Sequence, residues 1–391
     1  MVQVRVIGAA VKHLAWLSVA VLAAASPAAS ETLETRAPIA FLTELETGTV
    51  LFAKEPDQPF QPGSLAKVMT AATVFGALDA GDIAPDTLCT VSEHAWRTGG
   101  APARGATMFA ELKSDIAVSD LLQGLLVHQA NDAAIILAEC LDGSEAAFGG
   151  RMTALAQDIG MPGSRFVNPT GYEAAGAATT ARDLARLAGH ILTHHRDRYA
   201  LFSQAEFTWN GIFQFNRNPL IGEIRHLDGL GAGVSEADGY AALASLNRDN
   251  RRIIAVVANL PSDKNRLRAL REVIDGAWEY FGVRTLFKKG ETVTMGRVFG
   301  GTEGSVPLVA AEDVAVLLPR GGTLDYRLRA VYSGPIKAPV EPGRTVGELR
   351  IIGENGVVYR AALETGGPAI GGGSLQTRAF DGLKELLFGW F

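Results

Sequence analysis

Residues 239–260 read GYAALASLNRDNRRIIAVVANL, two apolar runs separated by a short polar segment. Asn and Asp in that segment favour a turn, so the stretch predicts a β-hairpin with strands over 239–246 and 251–260. Residues 39–52 predict an earlier hairpin, since two short apolar runs there flank a glycine turn. The economical arrangement is one antiparallel sheet built from both hairpins, with the mostly helical middle of the chain packed against it.

The spacing of apolar residues divides the rest of the chain into helical and strand-like parts. Helical spacing of apolar residues predicts helices over 64–78, 119–141, 181–192 and 266–281. After about residue 282, strand-like pieces alternate with Gly and Pro turns, which is typical of a small all-β domain. The sequence therefore predicts an α+β protein. Its predicted parts are 1–30, a leader; 31–283, the mixed domain; 284–370, the β domain; and 371–391, a glycine linker with an amphipathic helix.

Composition excludes several functional classes. The chain has 391 residues, of which 47% are hydrophobic and 20% charged, so it is globular rather than disordered. Its formal net charge of −6 gives no global attraction for nucleic acid, and we expect no such partner. We expect no cofactor and no metal. His190, His194 and His195 have a spacing that suits a metal, but without a zinc-protease pattern a solvated helix end is favoured.

The first 30 residues have the pattern of a secretory signal peptide. Arg5 and Lys12 precede a short apolar run, and small residues before Glu31 offer a cleavage site. The mature protein is therefore expected to be exported, which in a bacterium places it in the periplasm or at the cell surface. Export would permit a disulfide between the two cysteines, Cys89 and Cys140. A buried free thiol is the simpler interpretation, because Cys140 follows an apolar run.

The last residues, 375–391, form an amphipathic helical pattern. Apolar residues including Phe380, Leu383 and Trp390 line one face, and charged residues fall on the other. Behind a glycine linker, such a terminus is expected to lie in a membrane interface. The alternative is a helix that packs back on the β domain.

The sharpest chemical feature is Gln61-Pro62-Gly63-Ser64-Leu65-Ala66-Lys67. Ser64 begins a predicted helix and Lys67 follows one turn later, so the two side chains share a face. A lysine whose pKa is lowered by burial can take the proton of a serine hydroxyl and make it a nucleophile. The start of the helix also offers backbone N–H groups to a developing oxyanion.

This motif and its context resemble the low-molecular-mass penicillin-binding proteins, which are serine-type D-alanyl-D-alanine carboxypeptidases. The resemblance covers nearly the whole mature chain and implies a transpeptidase/β-lactamase-like domain followed by a β-sandwich domain. Further matches occur in the family's order. They are Gln129-Ala130-Asn131-Asp132, Phe207-Thr208-Trp209-Asn210-Gly211, Asn216-Arg217-Asn218, Leu227-Asp228-Gly229 and Gly239-Tyr240.

The family's three active-site motifs are Ser-x-x-Lys, Ser-x-Asn and Lys-Thr-Gly. The first is intact here, but Gln129-Ala130-Asn131 stands at the second and Gly231-Ala232-Gly233 at the third. The resemblance implies catalytic roles for Ser64, Lys67 and Asn131. It implies substrate contacts for the remaining motif residues and two neighbours. These are Gln129, Gly231, Ala232, Gly233, Val234 (at or next to the backbone oxyanion donor, which is Val234 or Ser235) and Arg266 (a carboxylate-binding cation).

The missing third-motif residues have expected consequences. The lysine would help to hold the carboxylate at the end of the substrate, and its positive charge would favour neutral Lys67. Its loss predicts weaker carboxylate recognition and a poorer base. The backbone oxyanion donors should survive, because they do not depend on side chains.

The resemblance implies an enzyme that trims the terminal D-alanine from peptidoglycan stem peptides through an acyl-enzyme on Ser64. It also implies acylation by β-lactams and a periplasmic protein attached to the inner membrane by its C-terminal helix. One alternative is a catalytically weak homologue that binds peptidoglycan or a cell-wall partner. Another is an enzyme with the same acyl-enzyme mechanism whose substrate has an uncharged or otherwise different end group.

Overall fold

A computed structural model describes residues 33–248, 251–320, 327–353 and 356–388. The predicted signal peptide over residues 1–30 lies outside these ranges. So do residues 389–391, at the end of the predicted C-terminal helix.

One antiparallel sheet organises the first domain, as both hairpins predict. The strands of this domain are β1 (Ile39–Glu44), β2 (Val50–Lys54), β3 (Leu88–Thr90), β4 (Asp115–Ala117), β5 (Glu206–Trp209), β6 (Ile212–Phe215), β7 (Leu227–Ser235), β8 (Gly239–Arg248) and β9 (Arg251–Leu260). The sheet has the order β2-β1-β9-β8-β7, so β1 of the early hairpin pairs directly with β9 of the late one. The remaining strands form two separate pairs, β3 with β4 and β5 with β6.

Helices cover the sheet and fill the middle of the chain. They are α1 (Ala66–Ala80), α2 (Glu93–Thr98), α3 (Val118–Leu126), α4 (Asn131–Asp142), α5 (Glu145–Asp158), α6 (Ala181–His194), α7 (Arg196–Tyr199) and α8 (Asp263–Tyr280). The helix predicted over 119–141 is therefore two helices, α3 and α4, with the second motif between them. Thr180 caps α6 by accepting a hydrogen bond from the backbone N–H of Asp183, as its position before the helix predicts.

Both faces of the sheet are buried, which explains the continuous apolar run in β9. Ile254 and Val256 belong to the large apolar cluster between the sheet and the helical middle of the chain. Ile253 and Val257 point to the other face, where a second cluster joins the sheet to α8. Alternate residues of a strand point to opposite faces, so a central strand covered on both sides must be apolar throughout.

A β domain follows α8. Its strands are β10 (Phe281–Phe287), β11 (Thr292–Phe299), β12 (Ser305–Ala310), β13 (Val314–Pro319), β14 (Arg327–Tyr332), β15 (Ile336–Lys337), β16 (Thr345–Gly353) and β17 (Gly356–Thr365). A sheet of order β14-β16-β17-β12-β11-β15 lies beside the pair β10-β13. Helix α9 (Leu375–Phe388) ends the described chain, and in that part of the chain no helix is long and apolar enough to cross a membrane.

Cys89 and Cys140 form a disulfide, so the expected free thiol is wrong. The Cα atoms lie 5.5 Å apart, within the range that a disulfide spans, and the bond joins β3 to α4. Sequence could not show this proximity, because the cysteines are 51 residues apart and meet only through the packing of α4.

One of the three histidines at the end of α6 differs from expectation, whereas His194 is exposed as expected. His195 is not solvated: it is 5% exposed, and its Nδ1 lies 2.8 Å from a carboxylate oxygen of Asp79. Burial lowers the pKa of His195, and the nearby carboxylate opposes that shift. Among the described residues no group of three His, Cys, Asp or Glu side chains is arranged to hold a metal ion.

Candidate active site

Ser64 lies in a 3-10 turn, Gly63–Leu65, that leads directly into α1. Pro62 precedes the turn with a fixed φ of −65°, and Gly63 has a φ of +51°, a conformation that side chains disfavour. Ser64 is half-buried, whereas Leu65 and Ala66 are fully buried. The turn therefore presents the serine hydroxyl at the edge of the core, at the start of a rigid helix.

Three glycines bring three backbone segments into contact around Ser64. A Cβ atom at Gly63 would overlap the carbonyl oxygen of Val234 in β7, and one at Gly171 would overlap the carbonyl oxygen of Gly63. A Cβ atom at Gly233 would lie 2.7 Å from the carbonyl oxygen of Pro62. Only residues without a side chain permit this packing. The nucleophile turn, strand β7 and the loop around Gly171 are thus locked together by their backbones.

Lys67 is the second intact residue of the first motif. It is 4% exposed, and its Nζ donates a hydrogen bond of 2.7 Å to the backbone carbonyl of Thr170. Burial, and secondly the positive charge of Arg217, lower the pKa of Lys67 to about 7. A large share of Lys67 is therefore neutral near neutral pH, and the neutral amine can accept a proton.

The expectation that Lys67 is a poorer base than in the family pattern stays a prediction, and the structure shows what lowers its pKa here. The sequence predicts that loss of the third-motif lysine removes the positive charge that keeps Lys67 neutral. In the structure burial lowers the pKa of Lys67 more than the positive charge of Arg217 does. Arg217 lies in the segment before β7. Arg217 is exposed, and its backbone N–H donates to the carbonyl of Val127, close to the second motif.

Asn131 is held at the first turn of α4. It is 6% exposed, and its backbone N–H donates to the carbonyl of Ala106. The next residue, Asp132, is fully buried and accepts hydrogen bonds from the Thr107 hydroxyl and from the backbone N–H groups of Met108 and Ala110. Burial raises the pKa of Asp132, against the effect of these bonds. The carboxylate ties the loop over 106–110 to the helix that carries Asn131.

Tyr172 belongs to the site although the sequence motifs do not include it. Its hydroxyl donates to the carbonyl of Thr98, and a hydrogen bond with the Asn131 side chain counteracts the rise in pKa that burial causes. The same loop supplies the Thr170 carbonyl that binds Lys67. The stretch Asn168-Pro169-Thr170-Gly171 is the signal that could have found this loop, since Pro and Gly mark a turn with a fixed backbone.

The third motif lies in β7, and its residues point alternately to the two faces of the sheet. Gly231 and Gly233 face α1 and its preceding turn: a Cβ atom at Gly231 would lie 3.5 Å from Val68 and 3.6 Å from Leu65. Ala232 points to the opposite face and packs in the second apolar cluster. Only the backbone of Ala232 is therefore available to the site, so its predicted substrate contact does not involve the side chain.

Arg266 lies behind β7 rather than in an open pocket. It is 4% exposed, its Nη1 donates to the carbonyl of Gly233 at 3.3 Å, and its Nη2 pairs with Asp263. Burial lowers the pKa of Arg266. The geometry makes Arg266 a positioning residue for the end of β7, and a contact with a substrate carboxylate stays a prediction.

The assembled groups suit acyl transfer. Ser64 is the nucleophile in the turn before α1, and Lys67 is a buried base one turn later, in α1. The backbone of Val234 lies directly against Gly63, beside the nucleophile turn, so the backbone N–H groups of Ser64 and Val234 are the candidate oxyanion donors. Two donors converging on one carbonyl oxygen are the usual means of stabilising a tetrahedral intermediate.

Comparison with known proteins agrees with this geometry. The family model described as D-alanyl-D-alanine carboxypeptidase matches residues 24–262, which is more than half of the chain. The chain belongs to this family. A second model, described as the penicillin-binding protein 5 C-terminal domain, matches residues 281–365, the part that contains β10 to β17.

Individual family members match over most of their length. The D-alanyl-D-alanine carboxypeptidase DacC of Escherichia coli is 32% identical, over 79% of this chain and 78% of that protein. Penicillin-binding protein 5 from Haemophilus influenzae has 28% identity and a TM-score of 0.71, over 86% of this chain and 98% of that one. Penicillin-binding protein D2 from Listeria monocytogenes, solved with cefotaxime bound, has 27% identity and a TM-score of 0.54. The match covers 63% of this chain and 98% of that one. The predicted family and fold class are confirmed.

The contact between Gly171 and Gly63 predicts a large effect of one methyl group. We expect Gly171→Ala to lower the free energy of unfolding by about 3 kcal/mol or more, because the new Cβ strains a positive φ and also overlaps backbone. Gly143→Ala is the matched control, since Gly143 also has a positive φ but open space around it; we expect about 1 kcal/mol there. Urea unfolding measures both, and equal losses would contradict the backbone contact.

Proposed function

We propose that this chain is a serine-type D-Ala-D-Ala carboxypeptidase that removes the terminal D-alanine from peptidoglycan stem peptides. The observation that carries the proposal is Lys67, buried one turn from Ser64 with a pKa of about 7. Membership of the carboxypeptidase family supports the same activity.

The reaction follows from the positions of these groups. Neutral Lys67 accepts the hydroxyl proton as the oxygen of Ser64 attacks the carbonyl of the D-Ala-D-Ala bond. The backbone N–H groups of Ser64 and Val234 stabilise the negative oxygen of the tetrahedral intermediate. The C–N bond breaks, D-alanine leaves with the proton from Lys67, and an ester on Ser64 remains. Water then hydrolyses the ester: Lys67 takes a proton from the attacking water and passes it to the oxygen of Ser64 as the ester bond breaks.

A second candidate is a weak or inactive homologue that binds peptidoglycan or a cell-wall partner. The altered motifs favour it, because Gln129 replaces a hydroxyl and Gly231 replaces an ammonium group that the family pattern has in the site. Loss of one such group in an active site can slow a reaction roughly 10²-fold or more. This candidate predicts peptide binding without bond cleavage.

Covalent labelling separates the two candidates. We expect the mature protein to be acylated by a fluorescent penicillin and to release D-alanine from a pentapeptide, since its nucleophile and base are in place. Ser64→Ala should lose both activities by roughly 10³-fold or more. A denaturing gel, intact mass and a D-alanine assay provide the measurements. Absence of label and of D-alanine from the unaltered protein would leave only the binding role.

The pH dependence of labelling tests the base. We expect the acylation rate to rise with pH with a midpoint at about 7, as Lys67 loses its proton. Arg217→Ala should move that midpoint to higher pH, because the charge of Arg217 helps to lower the pKa of Lys67. Arg217→Lys keeps the charge and should keep the midpoint. An unchanged midpoint in Arg217→Ala would rule out this electrostatic contact.

We also infer that the protein is periplasmic and attached to the inner membrane through α9. The polar side of this helix faces the β domain, where the carboxylate of Asp381 accepts a hydrogen bond of 2.8 Å from Gly300. Three of its apolar side chains are exposed: Leu375 at its start is 84% exposed, and Phe380 and Leu383 on its apolar face are 61% and 55% exposed. Burial of such side chains at the headgroup boundary favours attachment. The disulfide suits an oxidising compartment such as the periplasm.

Liposome flotation tests the attachment. The double variant Leu375→Asp, Leu383→Asp should lower the membrane-bound fraction by roughly tenfold or more, since both exposed apolar side chains are lost. Ser374→Asp adds a charge at the polar start of the same helix, where Ser374 accepts a hydrogen bond from the backbone N–H of Thr377, and should have a much smaller effect. Full flotation of the double variant would show that α9 is not the attachment site.

A further inference from the structure

Gln129 and Gly231 face each other across the active site, although they belong to different motifs. A Cβ atom at Gly231 would lie 3.8 Å from Nε2 of Gln129, which is ordinary van der Waals contact. The family pattern has the larger residue, lysine, at position 231 and the smaller, serine, at position 129. Here the sizes are reversed. The Gln129 amide therefore borders the space into which a side chain at position 231 would extend.

The backbone at Gln129 is held in an unusual conformation. Its φ is +55°, in the left-handed region that glutamine rarely occupies, and such strain is typical of functional positions. The residue is half-buried and lies two residues before Asn131, the first residue of α4. A side chain in this place borders the site on one side and solvent on the other.

We propose that Gln129 is the specificity-determining residue of this site and binds the C-terminal end group of the stem peptide. The proposal rests on the carboxypeptidase function above. A lysine only donates hydrogen bonds and favours a negative charge, whereas a carboxamide both donates and accepts. The amide of Gln129 can therefore pair with an uncharged carboxamide end as well as with a carboxylate. The substrate class is stem peptides with an amidated or otherwise uncharged C-terminus, in addition to those with a free carboxylate.

The nearby cations do not restore the missing selectivity for a carboxylate. Arg266 directs a donor at the carbonyl of Gly233 and pairs with Asp263. Arg217 is exposed, so water and salt weaken its attraction for the end group of the substrate, although its charge still acts on the buried Lys67. The end group of the substrate thus meets a neutral amide from Gln129 and the bare backbone of Gly231.

Paired substrates test the proposal. One peptide ends in D-Ala-D-Ala with a free carboxylate, and the other carries a C-terminal carboxamide. We expect the unaltered enzyme to cleave them with kcat/KM values within about tenfold of each other, measured as D-alanine and D-alaninamide released. Gln129→Glu keeps the length of the side chain but adds a negative charge. It should lower kcat/KM for the carboxylate peptide about tenfold more than for the carboxamide peptide.

The double variant Gln129→Ser, Gly231→Lys tests the exchange of the two residues. It should raise the preference for the carboxylate about tenfold or more, because an ammonium replaces the neutral amide. Gly231→Lys alone should have a lower kcat/KM than the double variant, since Gln129 crowds the new side chain. This non-additivity is the signature of direct contact. Thermal unfolding of the four proteins reports the same coupling independently of catalysis, as a lower Tm for Gly231→Lys alone than for the double variant.

The outcomes separate this inference from the proposed function. An unaltered enzyme that cleaves neither peptide overturns the function and the inference with it. An active enzyme with a strong carboxylate preference that Gln129→Glu leaves unchanged overturns the inference alone. Additive effects of Gln129→Ser and Gly231→Lys on both kcat/KM and Tm would also overturn it.

Discussion

The site depends on one close approach of backbones. At Gly63, Gly171 and Gly233 the nucleophile turn, a loop and strand β7 pack so tightly that side chains have no room. This contact sets the position of Ser64 against β7. It also brings the carbonyl of Thr170 over Lys67, which is why the lysine is buried and hydrogen-bonded. The chemistry therefore rests on main-chain packing, which changes in neighbouring side chains do not disturb.

Burial of Lys67 provides a base but weakens the fold. Because its pKa in the folded protein, about 7, lies below the ordinary value of 10.5, the unfolded chain binds more protons between these two pH values. The contribution of Lys67 to stability therefore falls as the pH drops from about 10.5 to about 7, and it is constant below that range. A fold that keeps this lysine buried retains it for chemistry rather than for stability.

Local patterns predict much of this molecule, and tertiary proximity accounts for what they miss. The hairpins, α1 and the Ser64–Lys67 pair are predicted because their signals lie within a few residues. Strand β7 is not predicted, since its three glycines have little strand propensity and pairing with β8 fixes it. Tyr172 and Arg217 come from loops without periodicity. The Cys89–Cys140 bond joins elements 51 residues apart, which no local pattern reveals.

Gln129 and Gly231 show why motif changes need a structure. In the sequence they are two independent losses, a hydroxyl in one motif and an ammonium group in another. In space they are neighbours, and the larger side chain at one position accompanies the smaller at the other. The groups that perform acyl transfer come from the Ser64 turn, α1 and the backbone, whereas the proposed recognition of the substrate's end depends on the Gln129 side chain beside the backbone of Gly231. The two tasks are carried by different atoms, so recognition can change while the nucleophile, base and oxyanion donors remain.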